Sequence, residues 1–225
     1  MSAPMKKTIE LFYDVVSPYG WIAFEVLCRY RLLWKQMDLK FKPIFLGGLI
    51  SESFNRSPAL VPNKGVYNFK YDIPRLAKYY QIPLNIPKNP SVVMFEKTSL
   101  AAMRFLTAVD LQHPEYTEEL WLRAWSRDEG IYDEKDFLEA SRKAGVDDNI
   151  SKIAISRIKD AEIKNILRNR TTEALDHGAF GVPTIITYIN GKPELVFGSD
   201  RFPILAMIIG EEWKGPQKKL SRWKV

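Results

Sequence analysis

Ser17 is the side chain whose type and position are best suited to chemistry. It lies in the segment Asp14-Val-Val-Ser-Pro-Tyr-Gly-Trp21, after a run rich in β-branched and aromatic residues and before apolar residues at helical spacing. Serine is a good N-cap and Pro18 suits a first helical turn, so a helix is predicted to begin here. The unpaired N–H groups and partial positive charge of a helix start favour an anion. The residues alone therefore leave two roles open for Ser17: a purely structural helix cap, or a side chain beside a bound anion.

The spacing of residues 17 to 20 limits the nature of this anion. Thiol-redox proteins place a Cys-x-x-Cys pair at such a junction, where the helix N-terminus lowers the pKa of the thiol. Here the four residues read Ser17-Pro18-Tyr19-Gly20, and the single cysteine, Cys28, lies outside them. A sulfur that reacts at this junction must therefore come from a ligand. A serine hydroxyl has too high a pKa to act as a base, but it can donate a hydrogen bond to a thiolate.

Hydrophobic periodicity predicts a β-α-β unit around Ser17. Thr8 to Val16 is typical of a buried strand, and Leu39 to Leu46 alternates like a second one. The helix between them is predicted from apolar residues at helical spacing: Trp21, Phe24, Leu27, Cys28 and Leu32.

An all-helical segment is predicted from Gly47 to about Gly178. It opens with a polar, proline-containing loop, Ser51 to Gly65, and no strand pattern follows. Breaks are expected at 147–150 and 160–162. Five stretches show helical spacing: Ile73 to Tyr80, Ser99 to Val109, Glu115 to Arg127, Glu134 to Ala144 and Ile150 to Leu175.

Strand signals return after residue 183. Thr184 to Ile189, the turn Asn190-Gly191 and Glu194 to Phe197 predict a β-hairpin. Gly198-Ser199-Asp200 is expected to cap a closing helix from Arg201 to about Ile209. The chain is thus predicted to be a split α/β domain, 1–50 and 179–225, with a helical domain, 51–178, inserted into it.

Composition excludes several classes of protein. The 225 residues carry a net charge of +6, which favours anionic partners in general, but the densest basic group, Lys214 to Lys224, has the character of a solvated tail. No nucleic acid partner is predicted. One cysteine excludes an internal disulfide framework and a thiolate metal cluster. No apolar run has membrane-spanning length, so no membrane insertion is predicted, and no cleavable presequence is evident.

Other constellations of reactive residues are weaker. His113 and His177 have no metal-ligand spacing, so no metal site is predicted. A Ser17-His177-Asp14 triad lacks the glycine pattern of a nucleophile elbow. Four large apolar residues at helical spacing are expected to be core first and a pocket wall second: Met103, Phe105, Trp121 and Trp125.

The chain resembles the kappa-class glutathione transferases. The resemblance rests on six segments in order along nearly the whole chain: ELFYDVVSPYGW, SPALVPNKG, EKTSLAAMRFLTAV, LWLRAWSRDEGI, GAFGVPT and VFGSDR. It implies a thioredoxin-like fold interrupted by a helical insert, in the DsbA-like arrangement. It also implies glutathione as co-substrate and conjugation of its thiol to small hydrophobic electrophiles such as halogenated aromatics, with peroxidase activity toward hydroperoxides as a further option.

The same resemblance implies a set of glutathione-binding residues. Ser17 hydrogen-bonds the sulfur, and a cis Val182-Pro183 bond leaves the Val182 backbone free to pair with the peptide. Ser199 and Asp200 hold the γ-glutamyl end, and Lys64 takes the glycine carboxylate. The full predicted set is Ser17, Tyr19, Asn55, Lys64, Val182, Pro183, Ser199 and Asp200. From the residues alone, Ser199 and Asp200 are instead expected to be an N-cap pair, Lys64 and Asn55 are expected to be solvent-facing loop residues, and a trans strand start remains open at Pro183.

Two other functions stay open. One is a glutathione-dependent isomerase of the 2-hydroxychromene-2-carboxylate type, and the other is a thioredoxin-like binding or chaperone module without a reactive thiol. The resemblance further implies a homodimer and a mitochondrial location, with the peroxisome as the alternative. The final residues, Trp223-Lys224-Val225, depart from a Ser-Lys-Leu peroxisomal address.

Overall fold

The computed structural model describes residues 6–109 and 114–218. The described residues form four strands and ten helices. The strands are β1 (Lys7–Tyr13), β2 (Met37–Pro43), β3 (Thr184–Ile189) and β4 (Lys192–Phe197). The helices are α1 (Pro18–Tyr30), α2 (Leu46–Glu52), α3 (Pro62–Tyr67), α4 (Ile73–Tyr80), α5 (Leu100–Ala108), α6 (Pro114–Trp125), α7 (Glu134–Ala144), α8 (Asp148–Arg157), α9 (Ala161–Asp176) and α10 (Phe202–Ile209).

A mixed sheet in the order β2-β1-β3-β4 carries the α/β part of the fold. β1 pairs in parallel with β2 through the crossover helix α1, and β3 runs antiparallel to both β1 and β4. Phe12 of β1 lies opposite Thr184 of β3. The C-terminal end of β1, which leads to Ser17, therefore lies beside the start of β3, which follows Pro183.

The two faces of the sheet bury different residues, as the alternation of side chains along β1 requires. Ile9, Leu11 and Tyr13 are fully buried in the larger core, to which α1 and the insert contribute. Phe12 belongs to a smaller cluster with Leu49 and other residues of α2 and α9. Because both faces are covered, β1 is the buried centre of the sheet.

The helical insert, which we define as the elements between β2 and β3, contains no strand in the residues described. Its predicted helices at Ile73–Tyr80 and Glu134–Ala144 have the predicted bounds. The expected breaks are also present, because Asp147 and Asp160 are the N-cap residues of α8 and α9. The thioredoxin-like α/β fold with a helical insert is therefore confirmed, whereas the domain limits at 50 and 178 stay a prediction.

Several local predictions were wrong. The loop predicted from Ser51 to Gly65 contains a 3₁₀ turn at Pro58–Leu60 and the start of α3, both begun by prolines that suit a first turn. Leu32 follows the end of α1 and is 62% exposed, so it does not continue the apolar face of that helix. β2 begins and ends earlier than its alternating pattern suggested, because Leu46 starts α2.

Three predictions fall partly or wholly outside the described residues: those on His113, on the far end of the basic tail and on the C-terminal tripeptide. Of the tail, residues 214–218 are described, and they pack near α1, where the Tyr30 hydroxyl donates to the Gly215 carbonyl at 2.7 Å. No described helix is both long enough and apolar enough to span a membrane.

Candidate functional site

Ser17 lies at the N-terminus of α1, as predicted. Its backbone is extended (φ −94°, ψ 116°), Pro18 occupies the first helical turn, and the Ser17 Oγ accepts a hydrogen bond from the Gly20 N–H at 3.1 Å. The hydroxyl proton itself makes no hydrogen bond to any residue in the described part of the chain. Ser17 is 4% exposed. The side chain therefore combines a cap with a free donor, held at the positive end of a helix.

Asp14 fixes the turn that leads to Ser17. Its carboxylate accepts hydrogen bonds from the Val16 N–H at 3.0 Å, the Leu46 N–H at 2.9 Å and the Ser99 hydroxyl at 2.8 Å. Its carbonyl accepts the Ser17 N–H at 3.0 Å. Burial raises the pKa of Asp14 to about 6, although its three neutral donors each act in the opposite direction. One carboxyl thus joins the end of β1 to the starts of α2 and α5.

The raised pKa makes a prediction for Asp14→Asn. The folded protein holds the Asp14 proton more tightly than the unfolded chain, whose carboxyl has a pKa of 3.8, so wild-type stability falls as pH rises through this range. Asparagine does not titrate and leaves one donor unpaired, which destabilises the variant at every pH. We expect the stability advantage of the wild type to shrink by about 2 kcal/mol between about pH 4.5 and about pH 7.5. Urea unfolding of both proteins measures this, and an advantage that is constant with pH would contradict it.

The strand start beside Ser17 contains a cis peptide bond between Val182 and Pro183, as predicted. Val182 is 8% exposed, and its backbone N–H and C=O make no hydrogen bond with any described residue. The pairing of Phe12 with Thr184 places this segment next to the turn that carries Ser17. An unpaired backbone donor and acceptor side by side can pair with an extended peptide.

Ser199 lies beside the same segment, because the Gly198 N–H donates to the Pro183 carbonyl at 3.0 Å. Gly198 has φ +102°, and a Cβ there would lie 2.9 Å from Asp200 Oδ1, so this position requires glycine. The Ser199 hydroxyl is buried and is without a hydrogen-bond partner among the described residues. A buried polar group left unpaired costs free energy, which points to a ligand that would satisfy it.

The expected cap by Ser199 and Asp200 was wrong. Arg201 is the N-cap residue of α10, and no side-chain cap bond is made there. Asp200 instead forms an ion pair with Arg201 at 3.0 Å, with more than half of its side chain exposed. The side chains of Ser199 and Asp200 therefore do not cap α10, which leaves them available for contact with a ligand.

The hydroxyl of Tyr19 is already engaged. It donates to Asp72 Oδ2 at 2.8 Å, and burial, followed by that bond and the charges of Asp72 and Asp200, raises the Tyr19 pKa far above its usual range. Tyr19 therefore stays neutral, and because Asp72 takes its hydroxyl proton, it offers a ligand its ring, its hydroxyl oxygen as an acceptor, or its backbone N–H. Asp72 ends a π-helical turn, Asn68–Asp72, which a sequence pattern of period 3.6 does not reveal.

The two remaining predicted residues lie in the first part of the insert. Asn55 donates through Nδ2 to the Phe180 carbonyl at 2.7 Å, which ties its loop to the cis-proline segment. Lys64 lies in the first turn of α3, is exposed, and makes no ion pair or hydrogen bond with the described residues. The structure thus connects Asn55 to the site and leaves Lys64 free to meet a carboxylate.

The sequence did not reveal the buried side chains that donate hydrogen bonds to the backbone around Ser17. Trp121 and Trp125 are completely buried, which confirms the core prediction, but their indole N–H groups also donate to the Ser17 and Val15 carbonyls, each at 3.1 Å. Helical spacing identifies a buried face and says nothing about which carbonyl a ring nitrogen meets. The tryptophans are therefore part of the site's framework as well as of the core.

A second cluster of titratable groups lies on the other face of the sheet. Glu10, Glu173 and His177 offer ligand atoms that all lie within 4.8 Å of one another. The Lys42 ammonium already pairs with both carboxylates, at 3.2 Å from Glu10 and 3.0 Å from Glu173. The Tyr188 hydroxyl also donates to Glu10 at 3.0 Å. The Lys42 ammonium therefore offsets the negative charge of the two carboxylates. The absence of a metal stays a prediction.

Comparisons with known proteins identify the family and the fold. The family model of the DSBA-like thioredoxin domain matches residues 8–210. Glutathione S-transferase kappa 1 of Homo sapiens is 43% identical and that of Rattus norvegicus 44% identical, each over 217 residues and 95% of both chains. A solved 2-hydroxychromene-2-carboxylate isomerase shares the fold, with a TM-score of 0.71 and 21% identity over 90% of this chain and 94% of that one. The chain therefore belongs to the kappa-class glutathione S-transferases, built on a DSBA-like thioredoxin domain.

Proposed function

We propose that the protein binds glutathione across the ends of β1 and β3 and conjugates its thiolate to small hydrophobic electrophiles. The observation that carries this proposal is the Ser17 hydroxyl at the N-terminus of α1, which accepts the Gly20 N–H and donates to no residue in the described part of the chain. Such a group donates to a thiolate and cannot itself be the nucleophile of a redox reaction. Membership of the kappa class supports the same ligand.

The predicted binding residues suit the three parts of glutathione. The cysteinyl backbone pairs with the N–H and C=O of Val182, and Pro183 fixes the direction of that segment. The buried hydroxyl of Ser199 meets the γ-glutamyl carboxylate, and Asp200 meets the ammonium beside it. The glycine carboxylate is taken by Lys64, with Asn55 and the backbone N–H of Tyr19 as polar neighbours.

Thiol activation follows from two electrostatic contributions. A hydrogen bond to a charged group stabilises it by roughly 1.5–3 kcal/mol, and a helix N-terminus by about 0.3–1 kcal/mol. Because one pKa unit corresponds to about 1.36 kcal/mol, the two together lower a thiol pKa of ~8.5 by ~1–3 units. A substantial fraction of the bound glutathione is then thiolate at neutral pH.

The thiolate then reacts as a nucleophile. With a halogenated aromatic, sulfur forms a bond to the ring carbon and halide leaves with the bonding electrons. With a hydroperoxide, the thiolate sulfur takes the terminal oxygen as the O–O bond breaks, which leaves a sulfenic acid and releases an alcohol. A second glutathione thiol then attacks the sulfenic sulfur and releases water, so the peroxide is reduced as two glutathione molecules are oxidised to glutathione disulfide. The helical insert is proposed to supply the apolar wall against which the electrophile binds.

Isomerisation is the second candidate, because the same thiolate can add to a conjugated double bond and leave again after rotation. The two reactions differ in whether glutathione is consumed. A conjugation assay with a halonitrobenzene, run beside a chromene-carboxylate assay, separates them. Conjugate that accumulates with stoichiometric loss of glutathione supports the transferase. Chromene conversion without that loss supports the isomerase, and failure to bind glutathione at millimolar concentration supports a binding module.

We also propose a homodimer. Large apolar side chains are exposed near the cis-proline segment, among them Phe54 at 97%, Phe180 at 42% and Phe197 at 38%, and an interface would cover such residues. The mitochondrial location, with the peroxisome as the alternative, stays a prediction of the sequence.

A further inference from the structure

The backbone between Val15 and Ser17 is hydrogen-bonded by side chains of the helical insert. The Val15 N–H donates to Met103 Sδ at 3.4 Å, and the Val15 carbonyl accepts the indole N–H of Trp125 at 3.1 Å. The Ser17 carbonyl accepts the Trp21 N–H at 3.3 Å and the indole N–H of Trp121 at 3.1 Å. Three side chains of α5 and α6 therefore meet the segment that presents the Ser17 hydroxyl.

We propose that Trp121 and Trp125 are positioning residues, which hold the backbone at Val15 and Ser17 so that the Ser17 hydroxyl points at the glutathione sulfur. This inference rests on the proposed function. It assigns the insert a direct part in thiol activation, through the orientation of the residue that donates to the thiolate. It also gives these two tryptophans a role different from that of the apolar wall proposed to bind the electrophile.

Because the two indoles are buried, no water can replace their hydrogen bonds to the backbone. Both tryptophans are 0% exposed, so water does not replace an indole N–H that is lost. A carbonyl without its partner in such a place bears the cost of desolvation, and the backbone relaxes toward another donor. Ser17 is affected directly, because its own carbonyl is one of the two acceptors.

The ring of Trp121 adds a steric constraint. It lies between Tyr13 and Phe24, with ring centroids 5.3 and 5.1 Å away. A Cβ at Gly20 would lie 3.3 Å from its Cζ2 atom. The indole of Trp121 therefore contacts the start of α1 at two points, the Ser17 carbonyl and Gly20. Gly20 matters here because its N–H donates to the Ser17 Oγ and so orients it.

The test uses Trp121→Phe and Trp125→Phe, which retain an aromatic ring and remove the N–H. Trp34→Phe is the matched control, because Trp34 is also buried, 1% exposed, and donates its indole N–H to a backbone carbonyl, that of Glu212 at 3.0 Å. The readout is the apparent pKa of the bound glutathione thiol, followed by thiolate absorbance, together with kcat/KM for conjugation of a halonitrobenzene. Thermal unfolding is recorded for all three variants.

We expect each of the two site variants to raise the bound thiol pKa by about 0.5–1 unit and to lower kcat/KM near neutral pH by about 3–10-fold. Trp34→Phe should lose stability and leave both quantities unchanged. Folded site variants with an unmoved thiol pKa would overturn the inference, as would an equal shift in Trp34→Phe. If Trp121→Phe does not fold, Trp125→Phe and Met103→Leu, which removes the sulfur acceptor at similar volume, decide the question.

These outcomes are distinct from failure of the proposed function. If the wild-type protein binds no glutathione, or binds it with an unshifted thiol, the transferase mechanism is wrong and the positioning role has no meaning. If the wild type lowers the thiol pKa and the folded tryptophan variants lower it equally, the positioning role alone is wrong.

Discussion

Replacing Ser17 with alanine should lower kcat/KM for conjugation at about pH 7 by about 10–100-fold, because a hydrogen bond to a charged sulfur is worth roughly 1.5–3 kcal/mol. The bound thiol pKa should rise by ~1–2 units for the same reason. Glutathione affinity should change less, since the other predicted contacts remain. Steady-state kinetics over a range of pH measures both effects, because raising the pH should restore part of the lost rate.

The control for Ser17→Ala must also lose a helix cap, since Ser17 accepts the Gly20 N–H. Asp147→Ala meets this need, because Asp147 accepts the Asn149 N–H at 2.7 Å at the start of α8. It should cost about 1 kcal/mol of stability and leave kcat/KM unchanged. An Ser17→Ala enzyme as active at neutral pH as Asp147→Ala would show that the serine is a cap alone.

Ser199→Ala should separate stability from ligand affinity, with effects of opposite sign. The Ser199 hydroxyl is buried without a partner among the described residues, so its removal should leave the free energy of unfolding unchanged or raise it by up to about 1 kcal/mol. The same change should raise the glutathione Kd by about 10–100-fold, because the γ-glutamyl carboxylate loses a charge-assisted bond. Urea unfolding without ligand and calorimetric titration with glutathione measure the two quantities.

Ser151→Ala is the matched control for this variant. Ser151 is also buried, but its hydroxyl is satisfied, by the Tyr116 hydroxyl at 2.6 Å and the Asp147 carbonyl at 3.2 Å. Its loss should destabilise the protein by about 1–2 kcal/mol and leave glutathione affinity unchanged. If Ser199→Ala behaved like Ser151→Ala, the orphan hydroxyl would not be a ligand contact.

Local signals along the chain predicted most of the elements that carry the site. The cap at Ser17, the Asn190-Gly191 hairpin and the helix breaks at Asp147 and Asp160 each depend on a few neighbouring residues, and each is present. The cis bond at Pro183 was preferred on family resemblance, since its local sequence also allowed a trans strand start. The order of these signals predicted a split α/β domain with a helical insert, and the family resemblance identified this arrangement as thioredoxin-like.

Contacts between segments that are distant in the sequence could not be predicted from it. Asp14 joins Leu46 and Ser99, and Trp121 meets Ser17, through hydrogen bonds that only the packed fold creates. Short helices such as α3 were missed because six residues give no measurable period. The cap expected at Ser199 failed for a related reason, because the residues fit a cap pattern but the backbone turns one residue later, at Arg201.

The most direct test of thiol activation is an ultraviolet titration of glutathione bound to the wild-type protein, in which absorbance reports the thiolate. A saturable complex with a thiol pKa ~1–3 units below that of free glutathione is the predicted result. A complex whose thiol titrates like free glutathione would contradict the role of the helix N-terminus and Ser17. Absence of binding at millimolar concentration would contradict the proposed function as a whole.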